Sequence, residues 1–145
     1  MHLAIQHVLN SFARHAAAYA RLAVKLHPLD NGVIDWRAIT GHIAAELGLA
    51  DRLVVIDGGN LDKLLARCRA VVTVNSTVGC QALARGVPVM ALGEAIYDIP
   101  GLTNRGELDA FWNAPEPPDP ELFDAFRRVL VARSLIPGSF SAKPD

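Results

Sequence analysis

The sequence predicts an α/β fold, a three-layer Rossmann-like domain on a parallel sheet, and three observations point to it. First, short aliphatic runs (Arg21–Leu26, Leu53–Ile56, Val71–Val74 and Val89–Leu92) alternate with segments whose apolar residues recur at helical spacing. Such alternation builds parallel strands joined by right-handed crossovers. Second, Val71, Val72 and Val74 are β-branched and nearly uninterrupted, as suits a strand covered on both faces. Third, polar or glycine-containing turns follow the strands, at the carboxyl ends where parallel sheets of this kind bind ligands.

Each element follows from local residues. Ile5, Val8, Leu9, Phe12 and Ala16 make the opening segment an amphipathic helix. The strand Arg21–Leu26 ends at His27-Pro28, where the proline biases the histidine toward extended geometry and presents its ring at the strand end. Asp35 caps a helix with Ile39, Ile43 and Leu47 inward, and Gly48 stops it. After Leu53–Ile56 comes the turn Asp57-Gly58-Gly59, and Asn60 then caps a helix carrying Leu61, Leu64, Leu65 and Cys68. Asn75, Ser76 and Thr77 supply capping chemistry for a helix with Val78, Ala82 and Leu83 inward, ended by Gly86 before Pro88 starts the last strand. Leu108, Phe111 and Trp112 mark a short helix, and residues 114–120 form a proline-rich connector. Leu122, Phe123, Phe126, Val129 and Leu130 give the final helix. Residues 1–136 read as one domain and residues 137–145 as a flexible tail.

One feature departs from the pattern: the chain opens with a helix, where a doubly wound half-domain opens with a strand. A first strand, and with it a partner domain, is therefore expected outside these residues. The exposed sheet edge would favour self-association into a homo-oligomer.

Composition removes several function classes. At 145 residues and 51% hydrophobic content the chain can bury a core of its own. Its 14 basic and 15 acidic residues nearly cancel, which argues against a nucleic-acid partner held by a basic surface. No apolar run approaches the roughly 20 residues of a membrane-spanning helix, and Met1–Ala20 is amphipathic rather than a signal peptide, so a cytoplasmic setting is expected. Cys68 and Cys80 are expected in helices as buried thiols. With no Asp-x-Asp pair, no metal is expected.

The candidate site is the carboxyl rim of the sheet. A helix opening directly off a strand directs free N–H groups and a positive dipole into the crevice. The small polar residues Asn75, Ser76 and Thr77, with Gly79 permitting close approach, suit a phosphate or other anion; an ordinary capped helix is the plainer alternative. His27, Asp57-Gly58-Gly59 and Glu94 fall just after successive strands and are expected to converge there. His2, His7, His15 and His42 read as helix-surface residues, and Trp36 and Trp112 as packing aromatics.

Several stretches carry a resemblance. Lys25-Leu-His27-Pro28-Leu-Asp30, Val74-Asn75-Ser76-Thr77-Val78-Gly79, the loop from Gly93-Glu94 through Tyr97-Asp98 to Thr103, Leu108-Asp109-Ala-Phe111-Trp112 and Pro118-Asp119 occur in this order. Together they resemble the bacterial capsule polysaccharide biosynthesis family, the β-Kdo glycosyltransferases, from about Phe12 to Ser139. The resemblance implies the C-terminal, nucleotide-sugar-binding half of a two-domain GT-B enzyme, with CMP-Kdo as donor substrate and no further cofactor. The acceptor is a lipid-linked or growing Kdo chain, and the anomeric configuration is retained. Partners implied are an N-terminal acceptor domain and the capsule assembly and export machinery. The lipid-linked acceptor places the chain at the inner face of the inner membrane.

On that reading His27 donates a hydrogen bond or proton to the departing phosphate, where the plainer alternative is a histidine satisfied by backbone. Lys25 pairs with the same phosphate unless strand alternation turns it away. Glu94 and Asp98, with Tyr97 between them, hold the ribose or orient the sugar, one serving as general base; solvated loop charges are the plainer alternative. Asp57 and Gly58 line the base or ribose pocket, or simply turn the chain. Two other functions fit the same fold: a truncated, non-catalytic nucleotide-binding or assembly module, and half of a nucleotide-sugar epimerase.

Overall fold

A computed structural model of the chain describes residues 2–26 and 32–134. His27, Pro28 and Asp30 lie outside the described residues, as does the tail from residue 135. In order, the elements are α1 (His2–His15), β1 (Leu22–Lys25), α2 (Trp36–Glu46), β2 (Leu53–Ile56), α3 (Leu61–Leu65), β3 (Val71–Thr73), α4 (Val78–Leu83), β4 (Val89–Ala91), α5 (Leu108–Phe111) and α6 (Pro120–Ser134).

The alternation of strand and helix is as the sequence predicts, and all pairing between strands is parallel, β1 with β2 and β3 with β4. The expected single sheet is instead two sheets of two strands each. Among the described residues no strand joins β1 to β3. Each ladder is closed within its own pair: the Leu22 and Leu26 amides donate to the Arg52 and Ile56 carbonyls, the Val71 amide to Pro88 and the Leu92 amide to Thr73.

Three layers form around β3 and β4. On one face Leu65 of α3 and Ala82 and Leu83 of α4 pack with Val89 and Tyr97, and Phe123 and Phe126 of α6 close over them. On the other face Met90, Leu108 and Phe111 are buried together, with Val8 of α1 and Val72 against them. Among the described residues the β1–β2 pair is covered on one face, where Leu22 and Leu53 meet Leu9 and Phe12 of α1 and Ile43 and Ala44 of α2. Its opposite face leaves Val54 48% exposed.

Capping follows local chemistry. The Asp35 carboxylate accepts the Ala38 N–H at 2.8 Å, and the Asn60 side chain accepts that of Lys63 at 3.0 Å. Asp119 does the same for α6, accepting from Glu121 and Leu122. Gly48 and Gly86 take the left-handed conformation that ends α2 and α4, at φ 67° and 70°. Two expectations need correction. Thr77, the residue preceding α4, makes no side-chain capping bond, and Cys68 lies beyond the end of α3, whose cap is Ala66.

The candidate site and its relatives

The turn between β3 and α4 is held from within. Thr73 Oγ1 accepts the Ser76 amide at 3.2 Å, Ser76 Oγ accepts the Val78 amide at 3.2 Å, and the Ser76 carbonyl accepts the Gly79 amide at 2.9 Å. Three amides expected to face an anion are therefore already engaged. With six residues α4 also sums few peptide dipoles. What the turn presents to solvent is Asn75 and Thr77, both exposed, while Ser76 is half-buried. The polar groups this turn offers to solvent are therefore those side chains rather than a row of free amides.

Tyr97 locks the turn. It is 2% exposed, and its hydroxyl donates to the Ser76 carbonyl at 2.6 Å. A Cβ added to Gly79 would fall on the Tyr97 ring and hydroxyl, so the close approach that Gly79 permits is that of the tyrosine. Tyr97 thus positions the turn from inside the core. Burial foremost, helped by the nearby Cys80 and Asp98, pushes its phenol above the ordinary value, with a hydrogen bond involving Thr73 acting the other way.

Asp98 is tied down as well. Thr103 Oγ1 donates to its carboxylate at 2.6 Å, and Arg105 Nη2 donates to its carbonyl at 2.7 Å while lying 3.7 Å from its carboxylate. These bonds fold the loop after β4 over a cleft of about 340 Å³ that His7, Arg105 and Glu107 also line. Asn75, Ser76 and Thr77 are not among its lining residues. Glu94 is exposed on the same loop.

Lys25 sits elsewhere, at the end of β1 beside Ile56, with its Nζ 3.4 Å from the Leu26 carbonyl. The exposed Asp57-Gly58-Gly59 turn follows Ile56, both glycines at positive φ (72° and 78°). The predicted residues therefore fall into two groups. Lys25 and Asp57-Gly59 gather at the β1–β2 end, and Asn75–Thr77, Gly79, Tyr97 and Asp98 gather at the β3–β4 end. Sequence reasoning missed Thr73 and Arg105: a strand-end threonine was a readable signal, and nothing marked the arginine. Among the described residues no cluster of three or more His, Cys, Asp or Glu has metal-binding geometry, and no helix is long and apolar enough to cross a membrane.

The family of capsule polysaccharide biosynthesis proteins matches residues 2–141. The chain belongs to that family. It is 43% identical over 135 residues to the capsule polysaccharide modification protein LipB of Neisseria meningitidis, covering 92% of this chain and 32% of LipB. To the capsule polysaccharide export protein KpsS of Escherichia coli it is 38% identical over 132 residues, or 91% of this chain and 34% of KpsS. Protein FixF of Sinorhizobium fredii is 37% identical over 98 residues, 64% of this chain and 24% of FixF. The chain thus spans about a third of the length of LipB and KpsS. No solved structure matches it.

Proposed function

We propose that this chain is the donor-binding part, the C-terminal half of a GT-B fold, of a capsule glycosyltransferase that transfers Kdo from CMP-Kdo to a lipid-linked or Kdo acceptor. The observation that carries the reading is the family match across residues 2–141, which takes in the rigid turn that presents Asn75 and Thr77 at the carboxyl end of β3. In the transfer, the bond between the sugar's anomeric carbon and the phosphate oxygen breaks with its electron pair left on the phosphate, the acceptor hydroxyl oxygen bonds to that carbon, and the hydroxyl proton passes to a carboxylate, Glu94 or Asp98, or to the departing phosphate. Hydrogen-bond donors aimed at that oxygen lower the barrier. Asn75, Thr77 and His27 are the donors, and Lys25 supplies a cation. Asp57-Gly58 takes the ribose, and Glu94 and Asp98 orient the sugar. The acceptor and a second domain complete the enzyme at the inner face of the membrane, where the capsule assembly machinery receives the product.

A second reading, a nucleotide-binding or assembly module without turnover, is favoured by the turn after β3, whose Ser76, Val78 and Gly79 amides are already bonded within the chain. Titration calorimetry of the 145-residue chain with CMP tests the donor pocket. Binding that weakens at least tenfold in Asn75→Ala, Thr77→Val and His27→Ala supports it, and no heat at millimolar CMP refutes it. CMP release from CMP-Kdo in the presence of acceptor, measured with and without the partner domain, separates enzyme from module. Turnover of a UDP-sugar without acceptor would instead indicate an epimerase.

A further inference from the structure

The cleft between α1 and the loop after β4 is lined by side chains that the fold does not use. Glu107 stands at the N-cap of α5, where Ser, Thr, Asp or Asn is favoured, yet its side chain makes no capping bond. Among the described residues neither the Glu107 carboxylate nor the His7 imidazole has a hydrogen-bond or ion-pair partner. Arg105 Nη2 donates to the Asp98 carbonyl at 2.7 Å, and the other N–H groups of the guanidinium have no hydrogen-bond acceptor among the described residues. Between Arg105 and Glu107, Gly106 takes φ 107°, with open space where a side chain would be. The glycine serves the backbone turn that lets both neighbours line one cleft.

Charge narrows what the cleft can take. Two carboxylates, Asp98 and Glu107, stand against one guanidinium, which already lies 3.7 Å from the Asp98 carboxylate. A phosphate or carboxylate entering here would meet an excess of like charge, a repulsion of about 1 kcal/mol at 4 Å even in water. Uncharged hydroxyls fit better. A carboxylate accepts O–H groups in short, charge-assisted bonds, while a guanidinium and an imidazole donate to the oxygens between them. Met90 and Leu108, both buried, add apolar lining for the C–H surface of a sugar ring. The volume, about 340 Å³, lies at the lower end of the roughly 300–1,000 Å³ of small-molecule sites. That suits one sugar residue rather than a whole nucleotide sugar.

We propose that this cleft is a subsite for the uncharged, hydroxyl-bearing part of a single sugar residue. Glu107 and Asp98 accept hydrogen bonds from its hydroxyls, and Arg105 and His7 donate to its oxygens. The proposal rests on the glycosyltransferase reading and deepens it, because it gives His7, Arg105 and Glu107 the task of selecting a neutral sugar surface. Asp98 joins the two, being both a residue assigned to the sugar and part of the cleft lining. The phosphate is held apart from this subsite, since none of Asn75, Ser76 and Thr77 lines the cleft.

The test is a titration of the isotopically labelled full chain with the methyl glycosides of glucose, galactose and mannose and with the corresponding uronates, followed through amide resonances. Saturable shifts at Arg105, Gly106 and Glu107 are expected with at least one neutral sugar, with Asn75–Thr77 unmoved. Its uronate should bind at least threefold more weakly. Arg105→Gln should weaken the neutral sugar at least threefold, and Glu107→Gln should narrow the preference over the uronate, which a merely structural role would not do. No saturable shift at the cleft with any neutral sugar at tenth-molar concentration would overturn the proposal. So would a uronate that binds as tightly, or a preference unchanged in Glu107→Gln. A parallel titration with CMP reads the turn after β3 separately: CMP binding without sugar binding strikes this subsite alone, and sugar binding without CMP binding strikes the donor reading alone. Displacement of the sugar by CMP-Kdo assigns the cleft to the transferred residue, and its retention assigns the cleft to the acceptor; either upholds the subsite.

Discussion

Replacing Gly79 by alanine separates a glycine required by packing from one that merely sits in a helix. Gly79 lies inside α4, where alanine is ordinarily the better residue by about 1 kcal/mol. Here its Cβ would fall on the Tyr97 ring, with Cε2 2.6 Å away. Tyr97 is enclosed by the core around Leu83, Val89 and Leu102 and has nowhere to retreat. Overpacking of this kind costs about 1–3 kcal/mol, and displacing the ring breaks the Tyr97–Ser76 hydrogen bond, about 1 kcal/mol more. After the helix-propensity gain the net loss is about 2 kcal/mol, or a fall in Tm of about 4–8 °C for a chain of this size. Urea and thermal unfolding of Gly79→Ala measure it directly. Tyr97→Leu removes the atoms that collide, so in that background Gly79→Ala is expected to be neutral or stabilising. Equal cost in both backgrounds, or a gain in the otherwise unchanged protein, would refute the packing argument.

Three further outcomes are expected. The phenol of Tyr97 is raised from its ordinary value of 10.0 by burial. Its contribution to stability is therefore complete below pH 10 and lost as pH climbs through the folded-state value. Alkaline unfolding that persists unaltered in Tyr97→Phe would contradict this. Ser11 is buried, accepts the Trp112 indole N–H at 2.8 Å and donates to Asp109, which in turn pairs with His15 at 3.1 Å. Ser11→Ala leaves the half-buried Trp112 indole N–H without its partner, while the exposed Asp109 keeps water and His15, and should cost about 1 kcal/mol in denaturant titration; a change under about 0.5 kcal/mol would show the network to be incidental. Burial pushes the thiols of Cys68 and Cys80 above the ordinary 9.0. Thiol-reagent labelling near neutral pH should then be slower than for free cysteine and speed up on unfolding, and native labelling at the free rate would contradict it.

Much of the fold was legible because its signals are local. Asp35 and Asn60 cap the helices their positions imply, Gly48 and Gly86 stop them, and the aliphatic runs are strands. Strand association was less legible: an aliphatic run announces a strand but not its neighbour, and β1 pairs with β2 and β3 with β4 in two separate sheets. In the site, the polar turn after β3 was visible, but its internal bonding was not. The contacts of Ser76 with Tyr97 join residues 21 apart, and no periodicity announces such a pairing. Gly79 reads in sequence as room for an anion to approach, and in the structure the group that fills that room is the Tyr97 side chain. Asp98 reads in sequence as an exposed loop acid, and only the fold brings Thr103 and Arg105 to it.

The most direct measurement is a CMP titration of the isotopically labelled chain, followed residue by residue through its amide resonances. Saturable shifts at Asn75–Thr77 together with Asp57–Gly59 are the expected result, since one nucleotide must reach both strand ends to use the residues assigned to it. Shifts confined to surfaces remote from both turns, or no shifts at millimolar CMP, would contradict a cytidylate site at this rim.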